Sequence, residues 1–225
     1  MPSVPTNGKA PGPVMRPALT REVIVHAAVE LIERDGASAL SMRGVAARLG
    51  VAVMSLYNHV PNKAALLRGV AEYVVAALDL PDDPGQDWKA GTRALVRAFR
   101  KTAHDHPRSM AVALTHQIDM PVGLRPTERA LALAAAAGFD GPTSVRVMRA
   151  LFAYALGAQM RDIGAAKMFD HVPGNALEAF GRLDPAEFPQ VIALAPVLAR
   201  YEPEADFEFG LELLISALDG LPRCP

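Results

Sequence analysis

Apolar residues recur at every third or fourth position through most of the chain, which is the spacing of amphipathic α-helices. In the first such segment, a start signal at Thr20 and a stop signal at Gly36 flank an apolar face. That face consists of Ile24, Ala27, Ala28, Leu31 and Ile32. Because no segment shows the alternation expected of a strand, the pattern predicts an all-α protein.

Residues 41–63 predict two short helices joined by a tight turn. Ser41 is a suitable N-cap for the first helix, and Gly50 is the residue that most readily allows the chain to turn sharply. The second helix, predicted over 52–59, carries Leu56 on its inner face and ends before Pro61. This layout is typical of a helix-turn-helix, whose second helix enters the major groove of DNA.

The remaining pattern divides the chain into an arm, a head and a larger body. Residues 1–17 contain five prolines and no periodicity, so they predict a disordered arm. The Pro- and Asp-rich segment 80–86 separates a head, residues 18–79, from a larger helical body, residues 86–221. The helix-turn-helix unit of the head is predicted to have three helices. We expect a head helix at 63–78 and body helices at 87–104, 108–115, 127–137, 143–163 and 205–218, with a proline-broken loop at 164–203.

Composition agrees with this reading and narrows the classes of protein. Hydrophobic residues make up 51% of the chain and aromatic residues 6%, which favours helices over sheets. Residues 1–76 hold eight basic and five acidic side chains, whereas the overall formal net charge is −1. A mildly basic head on an acidic body suits a protein that contacts phosphate at one end only.

Several classes of protein are disfavoured. No apolar run approaches the length of a membrane span, and no secretory signal is recognisable. The single cysteine, Cys224, leaves no internal disulfide and no cysteine-based metal cluster. We therefore expect a cytoplasmic protein without a membrane partner, a metal or another cofactor.

The outward-facing residues of the predicted second helix are candidates for base contacts. Asn58 can bond adenine in two places, Ser55 can bond a base or a phosphate, and apolar side chains can meet thymine methyl groups. For phosphate we expect a phenol at the end of this helix and a lysine at the start of the next. The base-contact candidates are Val53, Met54, Ser55 and Asn58, and the phosphate candidates are Tyr57 and Lys63.

Taken together, these residues resemble the TetR family of bacterial transcription regulators. In the head, the resemblance lies in Ala27-Ala28-Val29-Glu30-Leu31, in Ser41-Met42-Arg43-x-Val45-Ala46-x-x-Leu49-Gly50-Val51 and in Leu56-Tyr57-x-His59-Val60-x-Asn62-Lys63. In the body it lies in Trp88, His106-Pro107, Gly123-Leu124-Arg125-Pro126 and Phe207-Glu208-Phe209-Gly210-Leu211, which resemble the tetracycline-repressor branch.

The resemblance implies a ligand-responsive regulator, most simply a repressor that a small-molecule effector releases from a palindromic operator in double-stranded DNA. Arg43 and His59 match family positions that reach DNA. The broadly apolar helices at 143–163 and 205–218 match those that pair between subunits, so a homodimer is expected. Family members that bind metal-chelated tetracycline use specific polar residues that cannot be placed here, which leaves tetracycline in doubt as the effector.

Polar residues among the apolar body helices are candidates for ligand contacts, because an unpaired polar group is costly in such surroundings. The candidates are His104, His116, Gln117, Tyr154 and Gln159. The histidines lack a clear third metal ligand, and no nucleophile or oxyanion motif accompanies them. The sequence therefore predicts no catalytic residue and no metal site.

Two other interpretations remain open. The protein could be a small-molecule-binding helical protein with a vestigial DNA-binding head, for which the apolar pair Val53-Met54 is the only hint. It could also activate transcription, because the sign of regulation depends on where the operator lies.

Overall fold

A computed structural model describes residues 18–80, 87–116, 118–169 and 176–224. The described residues form helices and connecting turns without a β-strand, so the predicted all-α class is confirmed. The predicted arm at 1–17 and most of the predicted boundary at 80–86 lie outside the described residues. Within the described part, no helix is both long and apolar enough to span a membrane.

The head consists of four helices around one apolar core. They are α1 (Arg21–Asp35), α2 (Met42–Leu49), α3 (Val53–Tyr57) and α4 (Lys63–Ala76). Thr20 caps α1 by accepting a hydrogen bond from the backbone N–H of Val23, and Gly36 ends it with a positive φ of 86°. Ile24, Ile32 and Val70 are fully buried in the core that these helices share.

The other helices of the described residues lie in the body. The long ones are α5 (Trp88–Asp105), α6 (Pro107–Thr115), α7 (Met120–Ala136), α8 (Gly141–Phe169) and α12 (Pro203–Ala217). Three short ones are α9 (Ala176–Phe180), α10 (Pro189–Ala193) and α11 (Ala195–Leu198). A core of Phe207, Leu211 and Ile215 from α12 packs against Val147 and Leu151 from α8.

Two body helices differ from the sequence prediction. Helix α7 begins at Met120 instead of 127, so Pro126 lies inside it. A proline removes one backbone hydrogen bond from a helix, and the burial of Leu133 and Ala134 further along α7 offsets that cost. Helix α8 continues through Phe169, so the predicted loop at 164–203 is wrong at its start.

Helix α6 belongs to the body but packs into the head. Its Val112 lies in the head core. Glu33 of α1 accepts hydrogen bonds from the backbone N–H groups of Ser109, at 2.8 Å, and Arg108, at 3.2 Å. The Arg108 guanidinium in turn donates to the backbone carbonyl of Glu33 at 3.0 Å. The start of α6 is thus held by a carboxylate of the head.

Candidate DNA interface and ligand cavity

Helices α2 and α3 form the helix-turn-helix that the sequence predicts. Ser41 Oγ accepts a hydrogen bond from the backbone N–H of Gly44 at 3.0 Å, which starts α2. Gly50 ends α2 in the left-handed conformation, with φ of 66° and ψ of 35°. The backbone N–H of Val51 then donates to Ala46 O at 3.1 Å, which fixes the angle at which α3 departs.

The inner face of α3 is anchored in the head core. Leu56 is fully buried and Val60, just after the helix, is almost so. Val53 is half-buried and packs against the same core, as does Val51 in the turn. Because the helix is only five residues long, this anchoring rather than its own hydrogen bonds fixes its orientation.

The other predicted DNA-contact residues lie around the outer face of this unit. Met54 is 74% exposed and Tyr57 43% exposed, while Ser55 is half-buried. The remaining candidates are all exposed: Arg43, Asn58, His59 and Lys63. Their side chains are therefore free to meet a nucleic acid, and their roles at DNA stay predictions.

Lys63 occupies the first position of α4. Asn62 caps this helix, its Oδ1 accepting a hydrogen bond from the backbone N–H of Ala65 at 2.8 Å. The unpaired N–H groups of a helix start favour an anion, and an adjacent ammonium group adds to that attraction. This corner of the head is consequently suited to a phosphate group.

A cavity of about 350 Å³ lies in the body, at the junction with the head. Helices α4 to α8 all contribute to its lining. The aromatic residues of the lining are Trp88, Phe99, Phe139 and Phe152. Its volume falls within the range of pockets that enclose small organic molecules.

The lining is predominantly apolar and carries few polar groups. The Thr92 hydroxyl donates to the Trp88 carbonyl at 2.8 Å, so its proton is already committed. Thr127 and Arg149 also line the cavity, and neither has an ion-pair or hydrogen-bond partner among the described side chains. The lining thus suits a largely apolar molecule, and Arg149, whose side chain is exposed, supplies a positive charge at its edge.

Four of the predicted ligand residues lie outside this lining. Tyr154 Oη donates to the Phe207 carbonyl at 2.6 Å, and burial raises the pKa of this phenol. Gln159 is buried and donates to the Ala103 carbonyl at 3.4 Å. His104 and His116 are exposed. Gln117 lies outside the described residues, and ligand contact by any of the five stays a prediction.

None of the residues that line the cavity was predicted from the sequence to contact a ligand. The candidates were polar groups among apolar helices, whereas the lining consists mainly of apolar side chains. Aromatic residues are few in this chain, and their positions could have pointed to the cavity. The single tryptophan and three of the eight phenylalanines line it. Aromatic side chains on several helices are nevertheless usual in any core, so only the tertiary structure distinguishes the lining of a cavity from a packed core.

Arginine–glutamate pairs join α5 to α12 beside the cavity. Their N–O distances are 2.6 Å for Arg93–Glu212, 2.6 Å for Arg97–Glu208 and 2.9 Å for Arg100–Glu204. Hydrogen bonds from Arg93 and Arg100 lower the pKa values of Glu212 and Glu204. Arg100 is the buried member and also pairs with Asp162 of α8 at 3.0 Å. These pairs hold α5, which lines the cavity, against α12.

Among the described residues, no group of three or more histidine, cysteine, aspartate or glutamate side chains is arranged to hold a metal ion.

Fold and site together define a DNA-binding protein with an internal ligand cavity, and comparison with known proteins specifies its family. The family described as bacterial regulatory proteins, tetR family, matches residues 24–70. The tetracyclin repressor-like C-terminal domain matches residues 80–221. The chain belongs to the TetR family of transcription regulators.

Relatives with these domains are regulators of transcription. The chain is 31% identical to an HTH-type transcriptional regulator of Saccharopolyspora erythraea, over 90% of this chain and 86% of that one. It is 30% identical to the HTH-type transcriptional repressor DrrR1 of Streptomyces coeruleorubidus, over 95% of this chain and 82% of that one. The structure of Streptomyces coelicolor ActR in complex with (S)-DNPA is similar, with a TM-score of 0.74, 25% identity and coverage of 90% and 98%.

Proposed function

We propose that the protein is a homodimeric repressor that leaves a palindromic operator when a small aromatic molecule occupies the cavity. The observation that carries the proposal is the position of α4. Lys63 begins this helix at the exposed corner of the head, and Val75 near its end lines the cavity. A molecule that prefers a different position of α4 must, by linkage, change the affinity of the head for DNA.

A repressor is favoured over an activator because the relative DrrR1 is named a repressor and spans nearly the whole chain. The predicted DNA contacts are made by Arg43, Val53, Met54, Ser55, Tyr57, Asn58, His59 and Lys63. We retain residues 18–79 and 86–221 as the DNA-binding and ligand-binding units. A repressor that binds an operator on the chromosome works in the cytoplasm, which is where we place this protein in the proposal. The proposal includes no catalytic role.

Dimerisation is supported by the outer surfaces of α8 and α12. Phe209 is 69% exposed and Leu213 57% exposed on α12, while Met160 is 50% exposed on α8. Large apolar side chains at such exposure are typical of surfaces that a partner covers. A dimer formed by residues 143–163 and 205–218 places two heads on half-sites about 34–36 Å apart, or a multiple of that distance.

The first test is selection of bound fragments from random DNA, at about 150 mM salt so that nonspecific phosphate attraction does not dominate. We expect a palindromic motif with two half-sites. Failure of a folded, dimeric protein to enrich any motif would overturn the proposed DNA-binding function and favour a ligand-binding protein with a vestigial head.

The second test concerns the ligand class. Anthracene-2-carboxylate and its neutral carboxamide are planar probes that differ in charge, and binding can be followed through the fluorescence of Trp88, which lines the cavity. We expect the carboxylate to bind more tightly than the amide, and Arg149→Gln to remove that preference. Arg146→Gln is the matched control, because Arg146 is exposed on the same helix and does not line the cavity.

Equal affinity for the two probes in the unaltered protein would exclude a role for Arg149 in ligand selection. Binding of neither probe would overturn the planar aromatic class itself. In both cases the operator selection remains informative about the head.

A further inference from the structure

The C-terminal tail folds back onto the outer side of the cavity wall. After the 3₁₀ turn Leu218–Gly220, the chain runs past the junction of α7 and α8. There the backbone N–H of Cys224 donates to the Gly138 carbonyl at 2.7 Å. Arg223, the preceding residue, is thereby placed against two residues of the cavity lining.

Arg223 contacts both aromatic rings at this end of the cavity. Its guanidinium carbon lies 3.9 Å from the centre of the Phe139 ring and 5.0 Å from the centre of the Trp88 ring. The two rings meet edge to face, with centres 6.0 Å apart and planes at 77°. Both line the cavity, so the cation lies against the same pair of rings that a ligand would meet.

Hydrogen bonds fix the guanidinium in this position. One nitrogen donates to the Ala137 carbonyl and another to the Leu218 carbonyl, each at 3.0 Å. Ala137 follows the last residue of α7, where free carbonyl groups favour a cation. Asp219 accepts a hydrogen bond from Lys89 at 2.6 Å, which ties the same turn to the start of α5.

We propose that the C-terminal tail, residues 221–224, stabilises the wall of the ligand cavity and that Arg223 is a positioning residue for Trp88 and Phe139. Cation–π contact and fixed hydrogen bonds hold the two rings in one arrangement before the ligand arrives. A wall organised in advance loses less conformational freedom when it binds, which raises ligand affinity. This inference rests on the proposed function only in assuming that the cavity receives a ligand.

The positioning role can be measured without any ligand, because Trp88 is the single tryptophan of the chain. Loss of the cation and of the tail contacts in Arg223→Ala should shift the tryptophan emission to longer wavelength and raise its quenching by acrylamide about twofold. Arg223→Lys keeps the charge but not the planar fork, so we expect an intermediate effect.

Arg200→Ala is the control, since Arg200 is exposed and has no ion-pair or hydrogen-bond partner for its side chain among the described residues. Emission and quenching in Arg223→Ala that match those of Arg200→Ala would overturn the proposal. If Arg223→Ala loses helical circular dichroism, Arg223→Gln is measured instead, and the same two outcomes decide.

Ligand affinity gives a second readout that separates this inference from the proposed function. With anthracene-2-carboxylate as the probe, we expect Arg223→Ala to weaken binding about threefold and Arg200→Ala to leave it unchanged. If Arg223→Ala binds the probe as tightly as the unaltered protein, the tail does not support ligand binding. If the unaltered protein does not bind this probe, the proposed ligand class fails, whereas the fluorescence comparison still decides whether Arg223 positions the wall.

Discussion

Lys63 shows how one side chain gains a role from the helix that carries it. The residue is exposed at the start of α4, beside the backbone N–H groups that Asn62 only partly satisfies. We predict that Lys63→Ala weakens operator binding by roughly three- to tenfold and reduces the salt dependence by about one unit of slope. The measurement is a titration of labelled operator at several salt concentrations.

Lys101→Ala is the matched control, because Lys101 is an exposed lysine of the body that pairs with Asp105 of its own helix. Equal affinities for the Lys63 and Lys101 variants would show that Lys63 does not contact phosphate.

Gly50 shows a requirement of the backbone rather than of a side chain. Its φ is 66°, and an added Cβ would meet no atom within 4 Å. The cost of Gly50→Ala is therefore conformational, and we predict a loss of about 1–2 kcal/mol in the free energy of unfolding. Gly220→Ala serves as control, since Gly220 has open space and no positive φ. If urea unfolding gives both variants the same free energy of unfolding as the unaltered chain, a side chain at position 50 causes no backbone strain.

At the scale of elements, we expect the ion pairs that join α5 to α12 to weaken at low pH. Arg93 and Arg100 lower the pKa values of Glu212 and Glu204 from their ordinary value of 4.5. A carboxylate whose pKa is lowered by folding stabilises the fold above its unfolded pKa, and this stabilisation is lost as the pH falls through the folded pKa. We predict that thermal stability decreases below about pH 4.5.

The contribution of these pairs can be isolated with Glu212→Gln, which removes the titrating group and keeps the shape. This variant should be less stable than the unaltered chain at pH 7 and lose less on acidification. The effect is small, because Glu212 is partly exposed and solvent screens the pair. Identical acid profiles for the two proteins would rule out the pairing as a source of stability.

At the scale of the whole molecule, Glu33 connects the head to the body. Its carboxylate accepts the backbone N–H groups of Arg108 and Ser109 at the start of α6. Because α6 also supplies Met110 and Leu114 to the cavity lining, the same helix contacts the ligand site and the head. We predict that Glu33→Gln lowers the free energy of unfolding by about 1 kcal/mol and reduces the effect of ligand on operator affinity.

Glu128→Gln is the control for this experiment, since Glu128 is exposed on α7 and has no side-chain partner among the described residues. If the ligand changes operator affinity equally in Glu33→Gln and Glu128→Gln, Glu33 does not couple the ligand site to the DNA-binding head.

The oligomeric state tests the exposed surface of α12. Phe209→Glu and Leu213→Glu each place a charge where we expect a partner chain, and burial of an unpaired charge is strongly unfavourable. We predict that the double variant is monomeric in size-exclusion chromatography with light scattering and binds operator far more weakly. Leu124→Glu, at an exposed apolar position of α7, should leave the dimer intact. A dimer that survives the double variant would place the interface elsewhere.

The sequence by itself determined the helical class and the helix-turn-helix. Periodic apolar positions, the caps Ser41 and Asn62 and the turn at Gly50 are local signals, and the hydrogen bonds that they make lie within a few residues along the chain. The start of α7 was mispredicted because a proline usually ends a helix, and only packing elsewhere in that helix compensates for Pro126.

Only the tertiary structure decided which residues form the ligand cavity and what supports it. Trp88, Phe139 and Arg223 are far apart in the chain, and nothing in their local sequence relates them. Tyr154 Oη and Gln159 Nε2 bond to backbone carbonyls of neighbouring helices, and nothing in the local sequence reveals these partners. A cavity is the space left where several helices fail to fill a volume, so its lining depends on the relative placement of all of them, which local pattern does not encode.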